Sequence, residues 1–176
     1  PPHPTHHHSS EASDVYKRQV DNFDDLQLAS DSILPHVRTD IVGYLKESRD
    51  FSISRMNFNW FGNIGTDIYT KMSAGLIETM FGGYGAEILY RPFESSWALG
   101  AEVYNVKQRA FDMRFDFRDY ETVTGFVNFY YKEPRTNIIA SLKMGRFLAE
   151  DSGFNLDLAR RFESGLRLGV FFARTD

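Results

Sequence analysis

Residues 81–103 have the sequence FGGYGAEILYRPFESSWALGAEV, in which apolar and polar side chains alternate. Every second residue is apolar or aromatic from Tyr84 to Tyr90, and the alternation resumes from Trp97 to Val103 after the segment PFESS. A period of two is typical of a β-strand whose two faces see different environments. The glycine-rich start lacks the lysine and the following helix of a phosphate-binding loop, so we expect its glycines to relieve crowding in a strand. The stretch therefore predicts two strands joined by a turn.

The same period continues from about residue 50 to the end of the chain and predicts eight strands. Several have ten or more residues, which exceeds the five to six typical of soluble sheets. A tilted strand needs about 9–11 residues to cross a bilayer, and these lengths fit. Long strands without helices between them indicate an antiparallel meander. The predicted strands are 50–61, 65–77, 82–92, 97–109, 122–133, 137–149, 153–163 and 165–175.

In each predicted strand one register is apolar and the other is polar. The polar register contains Asn57, Asn59, Asp67, Lys71, Glu87, Arg91, Glu102, Gln108, Asn128, Lys132, Lys143, Asp157, Arg161 and Arg167. Its charges have both signs, so one interpretation is a polar path for a hydrophilic polymer, contacted through hydrogen bonds and arginine–carboxylate pairs. The other is cross-strand charge pairing that only solvates an interior. The candidate path residues are Lys71, Glu87, Arg91, Glu102, Lys143, Asp157, Arg161 and Arg167.

The connections between the predicted strands favour lipid as the environment of the apolar register. The first, third, fifth and seventh are tight, whereas the second, fourth and sixth are longer, and residues 110–121 form the longest. Outer-membrane barrels have short periplasmic turns and longer external loops. Aromatic residues next to the tight turns predict an interfacial girdle of Trp60, Tyr90, Trp97, Phe129 and Tyr131. The alternative is a soluble lipocalin-like barrel or sandwich, with the apolar register as its core.

The longest predicted loop, AFDMRFDFRDYE, alternates aromatic and charged residues. Its phenylalanines at 111, 115 and 117 predict a loop that packs down, with sugar stacking as a further option. Its three aspartates at 112, 116 and 119 are interleaved with arginines, so we expect internal ion pairs in preference to a calcium site.

The beginning of the chain differs from the rest. Residues 1–19 hold four of the five histidines and no apolar period, and in part resemble translated sequencing-adapter sequence, so we expect a disordered or artefactual tail. Residues 20–49 predict a polar loop and one short helix to about Glu47, because Ile33, Val37, Ile41 and Leu45 recur at every fourth position. An extended conformation also fits those positions. Residues 50–176 form the predicted β-barrel segment.

Composition excludes several classes of function. The chain has no cysteine, hence no disulfide, thiolate metal site or cysteine nucleophile. A net charge of -4 argues against nucleic-acid binding. No run of 18 apolar residues occurs, so the sequence predicts no membrane-spanning helix. His36 is the only histidine after residue 19, so neither a Ser/His/Asp arrangement nor a metal triad can be built. We therefore predict no catalytic residue, no metal and no cofactor.

Four stretches carry a resemblance to a known family. They are LPHVRTDIVGYL (34–45), residues 81–103, DYETVTGFVNFYY (119–131) and GRFLAEDSGFNLDLARRFESGLRLGVFFART (145–175), with VKQR (106–109) between them. In this order they resemble the YjbH/GfcD family of exopolysaccharide and group 4 capsule proteins of Gram-negative bacteria. The resemblance covers nearly all of residues 21–176 and leaves residues 1–19 without a counterpart. It implies that the chain is the C-terminal part of a larger, porin-like barrel of the bacterial outer membrane that serves export of an extracellular polysaccharide.

The sequence thus predicts an all-β fold: an antiparallel meander of about eight long strands, forming a transmembrane β-barrel segment with one short N-terminal helix. We expect either a small closed barrel or a curved open sheet. The expected function is non-catalytic passage of a polysaccharide, with outer-membrane lipid, the polymer and other exopolysaccharide or capsule secretion proteins as partners. The alternatives are a soluble or periplasmic ligand-binding barrel and an outer-membrane hydrolase.

Overall fold

The computed structural model describes residues 8–10, 14–16, 33, 35–48 and 51–176. Each of the eight long strands is hydrogen-bonded to its sequence neighbour in antiparallel register, which confirms the predicted meander. The elements in chain order are β1 (His8–Ser10), β2 (Asp14–Tyr16), α1 (Ile41–Glu47), β3 (Ser52–Ile64), β4 (Ile68–Leu76), β5 (Phe81–Tyr90), β6 (Trp97–Arg109), β7 (Phe117–Lys132), β8 (Ile138–Arg146), β9 (Ser152–Arg161) and β10 (Arg167–Thr175).

The sheet is open, so of the two expected forms the open sheet is found. Strands β1 and β2 both pair with β3, and β10 has no outer neighbour among the described residues. The two short strands lie within the range where we expected disorder, and the rest of residues 1–19 lies outside the described part. Among the described residues, no helix has the length and apolar character needed to cross a membrane.

Two element boundaries differ from the sequence prediction. Helix α1 ends at Glu47 as expected, but it begins only at Ile41. Residues 37–40 form bends and turns instead of a first helical turn, and Asp40 is the N-cap residue of the helix. Strand β7 begins at Phe117, five residues earlier than predicted. After a register shift beyond Lys107, Arg109 of β6 pairs with Phe117 and so extends the strand. The predicted 12-residue loop is thereby reduced to residues 110–116.

The predicted alternation of loop lengths was wrong. One end of the sheet carries connections 65–67, 91–96, 133–137 and 162–166, and we call it the turn end. The other carries connections 77–80, 110–116 and 147–151, and we call it the loop end. Their lengths overlap, because strand pairing extends into several segments that the sequence pattern left as loop. Loop length therefore does not indicate which face meets lipid.

The apolar face of the sheet is more exposed than the polar face, which is the reverse of what soluble proteins show. On the apolar face, Met72 is 58% exposed and Val103 is 51% exposed. On the polar face, Asn59 and Ser73 are only 1% and 5% exposed. Among the described residues no second layer covers the polar face at these positions. We infer that the sheet curves towards its polar face, where side chains of neighbouring strands crowd together. Soluble proteins normally bury the apolar side chains instead.

The main hydrophobic cluster lies at the loop end, under α1. Its buried members are Tyr44, Met80, Phe81, Val106 and Met113. The Tyr44 hydroxyl donates a hydrogen bond of 2.7 Å to the Arg109 carbonyl oxygen, and its ring meets the Phe111 ring edge-on at 5.0 Å. Loop 110–116 thus packs down as expected. It does so through Met113 and Phe111, whereas Phe115 and Phe117 are exposed, which corrects the prediction for those two.

The buried guanidinium of Arg109 ties this end together. It is 0% exposed and donates to six backbone carbonyl oxygens at 2.6–3.4 Å. A buried charge needs such partners, since leaving it unpaired costs several kcal/mol. The acceptors belong to Ile53, Ser54, Glu78, Thr79, Met113 and Arg114. One side chain therefore joins β3 to two of the connections at the loop end.

Candidate functional site

An ion pair lies at the centre of the polar face. Strand pairing places Lys71 of β4 directly opposite Glu87 of β5, and Glu87 opposite Glu102 of β6. The Lys71 ammonium lies 2.9 Å from a Glu87 carboxylate oxygen, and both side chains are about one third exposed. The period of two alone put these residues on one face, and the register brought them into contact.

Tyr104 extends this pair into a hydrogen-bond network. Its hydroxyl donates to the Glu87 carboxylate and lies 3.5 Å from the Ser73 hydroxyl. Ser73 in turn donates to the Asn59 side-chain oxygen at 2.7 Å. The ring of Tyr104 occupies the space above Gly85, where a Cβ atom would overlap it. That confirms the expectation that a glycine of the FGGYG stretch relieves crowding.

A second ion pair joins β6 to β8 across the intervening strand. The Lys143 ammonium lies 2.5 Å from a Glu102 carboxylate oxygen and 3.8 Å from the centroid of the Phe126 ring. Phe126 is the β7 residue directly opposite Glu102, so its ring lies beside the ion pair and adds a cation–π contact to Lys143. Both central carboxylates are thus neutralised by lysines.

Two cavities on the polar face meet at Glu87 and Glu102. One, of about 750 Å³, extends towards the loop end, where Arg38 and Glu78 border it. The other, of about 630 Å³, extends towards the turn end, where Arg91 and Lys132 border it. Together they form a polar groove along the sheet, with the two ion pairs in its middle.

The remaining predicted path residues lie nearer the turn end. Arg167 lies 3.0 Å from a carboxylate oxygen of Asp157. Arg161 lies directly opposite Arg167 on the neighbouring strand, and Arg91 follows the last residue of β5. Within the described part of the chain, neither Arg91 nor Arg161 forms an ion pair. The structure therefore joins six of the eight predicted residues in three pairs and leaves two cations unpaired.

Four of the predicted girdle residues share the turn end of the apolar face. Trp97 lies opposite Tyr131, and Tyr90 shares a cross-strand row with Leu99 and Phe129. The rings of Tyr90 and Trp97 meet edge-on at 5.8 Å. The fifth, Trp60, shares its row with Met72 and lies two rows farther from the turn end. Its indole ring leans back over Gly62, one row nearer that end.

Charged groups also hold residues 36–40 at the loop end. Arg118 lies 2.7 Å from one Asp40 carboxylate oxygen, and the His36 ring lies 2.8 Å from the other. Burial disfavours ionisation of Asp40, but the hydrogen bonds from Arg118 and His36 outweigh it and hold the pKa of Asp40 below its ordinary value. Arg38 adds an ion pair of 2.8 Å to Glu78.

Sequence reasoning missed two residues of the groove, Tyr104 and Phe126. Both occupy the polar register of their strands and adjoin Glu102, Tyr104 two residues along β6 and Phe126 directly opposite on β7, so their position was a usable signal. Their aromatic character hid it, because large aromatic residues were expected on the apolar face. No group of three or more potential metal ligands occurs among the described residues.

Comparison with known proteins identifies the family. A family model described as "Exopolysaccharide biosynthesis protein YbjH" matches residues 5–176. The chain belongs to the YjbH family. A relative from Escherichia coli K12, named "Uncharacterized lipoprotein YjbH", is 36% identical over 160 residues. That match covers 89% of this chain and 23% of the relative, so the chain spans about a quarter of that protein's length.

The match to the YjbH family confirms the resemblance seen in the sequence and links the chain to exopolysaccharide biosynthesis. It begins at residue 5, so it includes most of the segment for which we expected no counterpart. The family description names a biosynthetic process and indicates no catalytic reaction. No solved structure matches the chain.

Proposed function

We propose that this chain is a segment of an outer-membrane β-barrel whose polar face lines a water-filled path for an exopolysaccharide. The observation that carries the proposal is the inverted exposure of the sheet, with the apolar face outward and the polar face in the groove. Lipid favours that arrangement, because an outward apolar band and a polar interior are what membrane barrels have. The family supplies the class of polymer.

The barrel in this proposal is larger than the described sheet. A free strand edge is not stable in a bilayer core, because its unpaired N–H and C=O groups find no water there. The outer edge of β10 must therefore pair with a further strand. The relative, of which the chain covers 23%, leaves ample length for such strands in a longer protein. Its name as a lipoprotein supports attachment to a membrane.

The proposed role is passage of the polymer and not a reaction. The central carboxylates, Glu87 and Glu102, each contact a lysine, so neither is arranged as the free acid of a glycosidase pair. The groove instead offers hydroxyl, amide and charged groups along its length, which suits a hydrated sugar chain. Other exopolysaccharide or capsule secretion proteins are the partners that such a channel needs.

A soluble or periplasmic ligand-binding barrel is the second candidate. It needs the apolar register in a closed core, and the exposure of Met72, Val103 and their neighbours weighs against it. Large apolar patches on a soluble protein mark interaction sites or aggregation.

Fractionation of bacterial membranes tests the proposal. The protein is expected in the outer-membrane fraction of a sucrose gradient, with gel mobility that changes on heating, as folded barrels show. Recovery as a monodisperse species in detergent-free buffer would instead favour the soluble alternative. Glycan-hydrolysing activity of the purified protein would favour a hydrolase.

A further inference from the structure

The polar groove carries an uncompensated positive charge at its turn end. Four charged residues border the cavity there, namely Glu87, Glu102, Arg91 and Lys132. The two glutamates are neutralised by Lys71 and Lys143. Among the described residues, neither Arg91 nor Lys132 forms an ion pair, and both side chains are exposed. This end of the groove therefore has two positive charges in excess.

No acidic residue of the adjoining turns forms an ion pair with Arg91 or Lys132 among the described residues. The Asp67 carboxylate accepts a hydrogen bond of 3.1 Å from the Phe93 backbone N–H. The Glu133 carboxylate accepts bonds of 2.6 and 2.7 Å from the backbone and hydroxyl of Thr136. The Asp67 carboxylate thus joins connection 65–67 to connection 91–96, and the Glu133 carboxylate stabilises its own turn. The guanidinium of Arg91 and the ammonium of Lys132 stay available to a ligand.

The rest of this end of the groove suits a sugar chain. Tyr130 and Asn128 border the same cavity and supply a ring face and an amide. Pyranose rings bind by stacking on aromatic faces and by hydrogen bonds to amides. An anionic substituent on such a ring would meet Arg91, whose planar fork binds a carboxylate in two contacts.

We propose that Arg91 and Lys132 form a binding subsite for the anionic groups of an acidic polysaccharide, so that the polymer carries carboxylate or another anionic substituent at intervals. The inference rests on the proposed function, because it names the chemistry of the polymer that the groove takes. A neutral polymer would leave both cations without a partner in the groove.

Binding in detergent micelles tests the subsite. Polygalacturonate fragments, dextran sulfate and neutral dextran of matched length are titrated against the full protein at low and high salt. We expect polygalacturonate to bind at least about tenfold more tightly than dextran, and salt to weaken the difference. Stronger binding of dextran sulfate would assign the anion as sulfate-like, still within the proposal. Equal binding of charged and neutral polymers would overturn it.

Substitutions locate the effect. The double variant Arg91→Gln with Lys132→Gln is expected to lose about ten- to a hundredfold in affinity for the anionic polymer, with little change for dextran. Its matched control is Arg135→Gln with Arg160→Gln, which removes two exposed cations of the same end that do not border the cavity. Equal losses in both variants would reduce the effect to overall charge and overturn the subsite.

The exchange variant Arg91→Lys with Lys132→Arg guards against misfolding, because it keeps both charges. It is expected to retain most of the binding. These measurements use micelles and are independent of cellular location. Loss of outer-membrane partition with intact polyuronate binding would therefore contradict the proposed function and leave the subsite standing.

Discussion

Lys71 and Glu87 form an ion pair of 2.9 Å because their strands place them directly opposite each other on the polar face, and the Tyr104 hydroxyl donates to the same carboxylate. This relationship links three strands through one charged group. It is also half-buried, so salt screens it less than a fully exposed pair, and its desolvation costs less than that of a dry one.

Replacing Glu87 with glutamine should lower the free energy of unfolding by about 1 kcal/mol, because the charge that Lys71 and Tyr104 contact is removed. Urea titration in detergent micelles measures the change. The matched control is Glu163→Gln in an exposed turn, with an expected change below about 0.5 kcal/mol. Equal changes in both variants would mean that the pair contributes nothing specific.

Arg109→Met should destabilise the protein by about 3 kcal/mol or more, because six carbonyl oxygens lose their donor in a buried site. Arg109→Lys should restore little of this, since an ammonium cannot reach acceptors on three segments. The comparison variant is Arg135→Met in an exposed turn. Hydrogen exchange should show loosening at connections 77–80 and 110–116 first. Uniform loosening along the sheet would contradict the assigned role.

Gly85→Ala should destabilise the protein by about 1–3 kcal/mol, because the added methyl group overlaps the Tyr104 ring. In a Tyr104→Ala background the same change should cost less, because only the close approach to the Val103 carbonyl oxygen at 2.5 Å remains. The double-mutant cycle therefore predicts a coupling above about 1 kcal/mol. Additive effects would show that backbone strain, and not the ring, accounts for the glycine.

The attachment of residues 36–40 to the loop end should weaken in acid. The pKa of Asp40 is lowered in the folded state, so its contribution is present above its unfolded pKa of about 3.9 and is lost as the pH falls through the folded value. Asp40→Asn should therefore destabilise the protein at pH 7 and be nearly silent near pH 2. Urea titrations at both pH values measure this. An equal effect at both would contradict the ionic origin.

The strands were predictable from the sequence because the period of two is a local signal. The faces were predictable for the same reason, and with them the meeting of Lys71, Glu87, Glu102 and Lys143 in one groove. A local pattern does not contain the direction in which the sheet curves, because the packing of all strands sets it. We inferred that direction from the exposure of the side chains on the two faces of the folded sheet.

The loop end was the least predictable part. Arg109 looks like one more polar residue at the end of a strand, and only the fold shows that the backbone of three segments converges on it. Helix α1 begins later than the fourfold spacing of apolar residues indicated. The residues before Ile41 that share this spacing lie in bends and turns and not in a helix. Met113 is buried in place of Phe115 and Phe117, which are both exposed, Phe115 in the loop and Phe117 as the first residue of β7.

The central claim is that the apolar face meets lipid and the polar face meets water. The chain has no native cysteine, so single cysteines can be placed at Val127 on the apolar face and Tyr130 on the polar face. These side chains are 47% and 39% exposed in the protein alone, so exposure without a bilayer does not separate them. In lipid vesicles, Tyr130→Cys should react with a charged, water-soluble maleimide, and Val127→Cys should be protected until the protein is unfolded. Reaction of Val127→Cys as fast as Tyr130→Cys in intact vesicles would contradict the account.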